Sequence, residues 1–165
     1  MDLRVIDNFL PPDNFKKIES LLLGDNFPWF YNNNVITSIK EIGIYQFTHT
    51  FFDVRDPWNG IASQWYGDCI DPFAAKLNVR QWVRAKGNLL PRTVFNRNTG
   101  YHVDIHRCTT AVYYVNTCNG YTKFKSGEKV KSVANRIVIF DSSTYHAGFT
   151  CTNSDVRVTL NLNYA

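Results

Sequence analysis

Val156-Arg157-Val158-Thr159-Leu160-Asn161-Leu162-Asn163 runs in strict two-residue alternation near the end of the chain. Successive side chains of a β-strand point to opposite faces. Val156, Val158, Leu160 and Leu162 therefore share one face, and Arg157, Thr159, Asn161 and Asn163 the other. An ordinary half-exposed strand turns such a polar face to water; here it equally suits the wall of a polar cavity inside a double-sheet roll. The segments before it are short and β-rich: 109–116, 121–125, 129–133, 136–141 and 147–150 lead to 155–164. Asn119-Gly120 reads as a hairpin turn in which the pair supplies positive φ angles, so 121–125 is expected to pair back on 109–116. Strands at this spacing predict a sandwich or barrel rather than a parallel sheet with helical crossovers.

The helical signals lie earlier. Pro11-Pro12-Asp13 opens a helix whose Phe15, Ile18 and Leu22 recur on one face, with Gly24 as its stop. Ile61, Trp65, Cys69/Ile70, Phe73 and Leu77 continue the helical spacing, with Asp71-Pro72 as the cap and first residue of a second short helix. Strands are expected at 5–10, over two runs within 42–54, and at 82–86, and a loop with at most one short strand over 87–100. The expected class is mainly β with supporting helices (α+β), the helices packed on one outer face of a sheet. One domain over 1–165 accounts for the length.

Composition narrows the function classes. Hydrophobic residues make up 44% and charged ones 19%, which excludes a disordered chain. The net charge is +4, but Lys and Arg are dispersed, which argues against a nucleic-acid partner. Cys69, Cys108, Cys118 and Cys151 form no CxxC pair, so zinc is not indicated and reduced thiols in a cytoplasmic setting are expected. Asp2 and Asp7 interrupt any apolar leader, and no segment is long and apolar enough for a membrane.

Chemistry concentrates between Tyr101 and Arg157. In Tyr101-His102-Val103-Asp104 the imidazole and carboxylate share a face of an extended segment. His146, after the strand and turn of 137–143, supplies a second imidazole. Two histidines and one carboxylate fill three positions around a non-haem Fe(II) and leave the others open for substrate and dioxygen. Arg157 would grip a dicarboxylate on that metal through its planar fork, and the hydroxyl of Tyr114 would join it; the co-substrate so read is 2-oxoglutarate. His106 competes for the metal through Asp104-Ile105-His106. Asp141 reads better as turn chemistry, Arg136 as an exposed residue, and His49 as a structural histidine among aromatics. The Phe27-Pro28-Trp29-Phe30-Tyr31 cluster reads as core before substrate surface.

Taken together, His102-x-Asp104, 111–116, 119–124, 135–140, His146 and Arg157 resemble the prolyl 4-hydroxylase-like 2-oxoglutarate/Fe(II) dioxygenases. Residues 5–10 and 27–31 are also similar to compact members carried by bacteriophages. The resemblance implies a double-stranded β-helix, a jelly-roll or cupin-like core. It implies iron on His102, Asp104 and His146, and 2-oxoglutarate on Arg157 and Tyr114. It also implies O2 as co-substrate, ascorbate as an optional reductant, and succinate and CO2 as co-products. Collagen-type members use Lys where Arg157 stands, so collagen-like substrates are not expected. A peptide or protein substrate hydroxylated at a residue such as proline is the first expectation. Small-molecule or free amino-acid hydroxylation, nucleic-acid demethylation and a non-catalytic binding module are the alternatives. The expected location is cytoplasmic, in the host cell if the chain is phage-encoded.

Overall fold

The computed structural model describes residues 3–33, 44–55, 60 and 63–165. Ten strands and three helices follow in chain order: β1 (Arg4–Ile6), α1 (Pro12–Leu22), β2 (Phe30–Asn32), β3 (Gln46–Asp53), α2 (Tyr66–Cys69), α3 (Asp71–Leu77), β4 (Trp82–Pro91), β5 (Thr109–Tyr114), β6 (Tyr121–Phe124), β7 (Lys129–Lys131), β8 (Arg136–Asp141), β9 (His146–Phe149) and β10 (Val156–Tyr164). The expected start of a strand at Ile42, the helical Ile61, and Met1, Asp2, Asn34 and Asn59 lie outside the described residues.

The strands form two antiparallel sheets. The larger has the order β1-β8-β5-β10-β4-β3-β2 and the smaller β7-β6-β9. β10 is central to the larger sheet, paired with β4 on one side and β5 on the other. Its alternation decides the two layers. Val158, Leu160 and Leu162 are fully buried against the helices, whose Ile18, Leu22, Ile70, Phe73 and Leu77 belong to the same core cluster. The opposite face looks toward the smaller sheet, where Val112, Tyr114, Val138 and Phe140 pack on Phe124 and Val130. The helices thus cover one outer face, and the polar half of β10 is turned inward.

Several local expectations fail for identifiable reasons. Residues 121–125 do not pair back on β5: β6 joins β7 and β9 in the other sheet. Asn119 instead ties its turn to residues 152–153, its side-chain oxygen accepting from the Thr152 amide and its own amide donating to Asn153 Oδ1, both at 2.8 Å. Gly120 has no positive φ; a Cβ there would lie 2.6 Å from Arg157 Cδ and 3.0 Å from the Phe149 carbonyl oxygen, so glycine makes room for the arginine. Residues 87–91, expected as loop, extend β4. A Cβ at Gly87 would sit 3.0 Å from the Trp29 ring, so this glycine marks close packing, not a break. The cap of α3 is Ile70, with Asp71 already inside the helix. Arg136 is not a free surface residue: it pairs with Asp7 through Nε at 2.5 Å and Nη2 at 2.9 Å.

Candidate metal centre and co-substrate pocket

His102, Asp104 and His146 converge. One ligand atom from each lies within 4.8 Å of the other two. The segment holding His102 is not a strand; it is extended and bonded at one bridge, His102 N to His146 O at 2.9 Å and His146 N to His102 O at 3.0 Å. This reciprocal pair sets the two imidazoles side by side, centroids 4.6 Å apart. Each ring directs Nδ1 at a backbone carbonyl, His102 at Gly100 (3.2 Å) and His146 at Thr144 (2.9 Å). That places the proton on Nδ1 and leaves Nε2 as a ligand, the usual outer-sphere arrangement of metal-binding histidines. Phe140 closes the far side of His146, ring to ring at 4.8 Å.

Asp104 is held from the larger sheet. Its Oδ2 accepts from Thr110 Oγ1 at 3.1 Å and Asn163 Nδ2 at 3.2 Å. Its Oδ1 lies 3.6 Å from both Arg84 Nη2 and His102 Nε2. Burial alone would raise its pKa. The imidazoles of His102 and His146, when protonated, and the Arg84 guanidinium outweigh this and hold the carboxyl below its ordinary value. Burial pushes the pKa of His146 down; Asp104 opposes this and His102 adds to it. A neutral imidazole beside an ionised carboxylate is the protonation state that ligation needs. His106 lines the same cavity but is not one of the converging set.

The cavity has a volume of about 610 Å³. Arg157 lies at one end, 4% exposed. It donates from Nε to Ser132 Oγ at 2.8 Å and from Nη2 to Thr122 Oγ1 at 3.1 Å. Tyr114 is fully buried, and its hydroxyl donates to the same Thr122 oxygen at 2.9 Å. Thr122 lines the cavity, with Tyr114 behind it. No carboxylate among the described residues pairs with Arg157. Burial pushes its pKa down against the pull of Tyr114, Cys118 and Cys151. A buried cation with spare donors and no protein anion is costly unless an anion arrives.

The sequence reading missed the groups that hold these residues: Thr110, Thr122, Ser132 and Asn163 around the site, and Arg84 and Lys86 along its wall. Arg84, Lys86 and Asn88 alternate as Arg157 to Asn163 do, but Gly87 between them carries the local signature of a break. His49 is a structural histidine, bonded to the Pro28 carbonyl and to Ser63 Oγ at 2.8 and 2.7 Å. The aromatic cluster divides: Phe27 is core, whereas Phe30 and Tyr31 are 62% and 61% exposed.

No protein-family model and no curated protein matches the sequence. Solved structures do match. A 2OG-Fe(II) oxygenase family oxidoreductase from Burkholderia pseudomallei superposes with a TM-score of 0.68 at 10% identity, over 99% of this chain and 84% of that one. A Pseudomonas putida prolyl-4-hydroxylase does so at 0.60 and 17%, over 98% and 91%. The fold is that of the 2-oxoglutarate/Fe(II) oxygenases. A Trichoplax adhaerens prolyl hydroxylase, solved with a peptide fragment of the hypoxia inducible factor oxygen degradation domain, shares this oxygenase fold at a TM-score of 0.60 and 17% identity, over 98% of this chain and 82% of its own. Among the described residues, no helix is long and apolar enough to cross a membrane.

Proposed function

We propose that the chain is a single-domain 2-oxoglutarate- and Fe(II)-dependent dioxygenase that hydroxylates a C–H bond and releases succinate and CO2. One observation carries the reading: a two-histidine, one-carboxylate cluster and a buried arginine with no protein counter-charge face the same cavity. A ligand that chelates a metal at one end and presents a carboxylate at the other satisfies both.

His102, Asp104 and His146 would hold Fe(II), which suits the donor set: two neutral imidazole nitrogens and one ionised oxygen. Bound iron, with 2-oxoglutarate and O2, supplies the oxidising chemistry; the chain supplies binding and orientation. Thr110 and Asn163 fix the carboxylate of Asp104 through Oδ2, which would leave Oδ1 for the ion. Arg157 and Thr122 take the distal carboxylate of 2-oxoglutarate, and Tyr114 orients Thr122 from behind. Gly120 keeps the path of the Arg157 side chain open. Two substrate classes fit this reaction: a peptidyl residue such as proline, as the resemblance and the peptide on one structural neighbour suggest, and a free amino acid, which the additional cation Lys86 in the cavity lining favours. Ascorbate would serve only to restore ferrous iron.

Anaerobic titration with Fe(II) and then 2-oxoglutarate tests this. A visible charge-transfer band is expected for the wild type and lost in Asp104→Ala. A wild type that binds no metal, or whose metal complex ignores 2-oxoglutarate, overturns the reading. A non-catalytic module would give the band without succinate under O2.

A further inference from the structure

The cavity carries more positive charge than the proposed cofactors use. Its lining contains Arg55, Arg84, Lys86 and Arg157 against a single carboxylate, Asp104. Three of the cations have assigned work. Arg157 faces the distal end. Arg84 reaches Asp104 at 3.6 Å and donates from Nε to Asn163 Oδ1 at 3.2 Å. Arg55 is held by Asp53, Nη2 to Oδ2 at 2.6 Å and Nε to Oδ1 at 2.8 Å. Lys86 remains. It is partly buried on β4. Among the described residues no hydrogen bond or ion pair takes its ammonium.

Register fixes where Lys86 stands. It lies between Thr50 of β3 and Asn161 of β10 on the inward face. The next inward pair toward the metal is Arg84 with Asn163, and the next pair away is Asn88 with Thr159. Arg157 pairs with Leu90 beyond that. Lys86 therefore sits along the wall between the metal ligand Asp104 and the arginine end, on the β3 side. Burial and the neighbouring charge of Arg84 lower its pKa to about 8, with Asp104 pulling the other way. Such a cation is poorly solvated and still mostly protonated at neutral pH, and it gains from an incoming anion.

Resting on the dioxygenase reading above, we propose that Lys86 is a specificity residue that binds a carboxylate of the primary substrate, so that the enzyme acts on a small free carboxylic acid such as an amino acid. The two carboxylates of 2-oxoglutarate are already taken, one by the metal and one by Arg157. The third anion site belongs to the molecule being oxidised. The described lining agrees: Asn32, Gln46, Arg55 and His106 are polar. The exposed rings of Tyr31 and Tyr45, with the half-buried Phe47 they touch, are not part of the lining.

The experiment uses the full chain loaded with Mn(II), which holds the site without turning over, and 2-oxoglutarate. Thermal shift and calorimetry follow binding of the twenty free L-amino acids, each against its C-terminal amide. At least one free acid is expected to bind while its amide does not. Lys86→Met should weaken that acid roughly ten- to a hundredfold, as loss of a charged hydrogen bond does, and change 2-oxoglutarate affinity less than about twofold. Lys86→Arg should restore most of the binding. If acids and amides bind alike, if no free acid binds, or if Lys86→Met weakens 2-oxoglutarate instead, the assignment is overturned while the dioxygenase reading stands. If the wild type shows no response to Mn(II) and 2-oxoglutarate at all, both fall together.

Discussion

Asp104 is pulled two ways at the residue scale. Its side chain is only 3% exposed, yet it stays ionised because donors surround it. Thr110 is one of those donors and does not line the cavity. Thr110→Val should lower Mn(II) affinity about ten- to a hundredfold, the usual cost of losing an outer-sphere partner, without removing a ligand; titration followed by electron paramagnetic resonance reads this. At the other end, Gly120→Ala would drive a methyl group against Arg157 Cδ and the Phe149 carbonyl. The guanidinium must shift, and 2-oxoglutarate should bind about tenfold more weakly by calorimetry, as for a charged hydrogen bond lost or lengthened, with Mn(II) affinity unchanged. Lys86 adds a pH dependence. Its folded pKa is lowered to about 8, so the ammonium predominates near neutral pH and the anion-binding charge disappears as pH rises past that value. Affinity for an acid substrate should therefore hold from pH 6.5 to 7.5 and fall by pH 9, and the fall should vanish in Lys86→Arg.

At the scale of elements, one residue joins the start of β8 to the segment before α1. Asn135 has φ 61°. Its side chain accepts from Leu10 N at 2.8 Å and from the Tyr113 hydroxyl at 3.0 Å, and donates to Leu10 O at 2.9 Å. All three bonds are buried, and they fix the segment entering α1 against β5 and the start of β8. Asn135→Ala should cost about 3 kcal/mol, since it orphans buried partners and puts alanine at positive φ. The melting temperature should fall by roughly 6–12 °C for a chain of this size. The same scale shows where local signals mislead. Gly87 and Gly120 look like breaks in the sequence, but each is small because a distant side chain, Trp29 or Arg157, crosses it. No short window contains that information.

For the molecule as a whole, the alternation of β10 and the crowd of short strands made the layered β architecture legible. That His102, Asp104, His146 and Arg157 meet at one cavity was legible because the proposed chemistry demands particular residue types. What stayed hidden depends on partners far along the chain. β6 leaves β5 for the other sheet because Asn119 fastens its turn to residues 152–153, and Thr122 reaches the cavity only by that crossing. Arg84 and Lys86 look like surface charges until β4 is known to be an interior strand.

The three proposed ligands do not all belong to one layer. His146 lies on β9 of the smaller sheet, with His102 bridged to it, whereas Asp104 is fastened to the larger sheet through Thr110 and Asn163. An ion gripped by all three is a rivet through the mouth of the roll, loaded whenever the two layers try to part. Stripping it with a chelator should raise amide exchange along β9 and at 102–104 while β10, sealed between two neighbours, keeps its protection; equal loosening everywhere would mean the layers are held by their apolar seam alone.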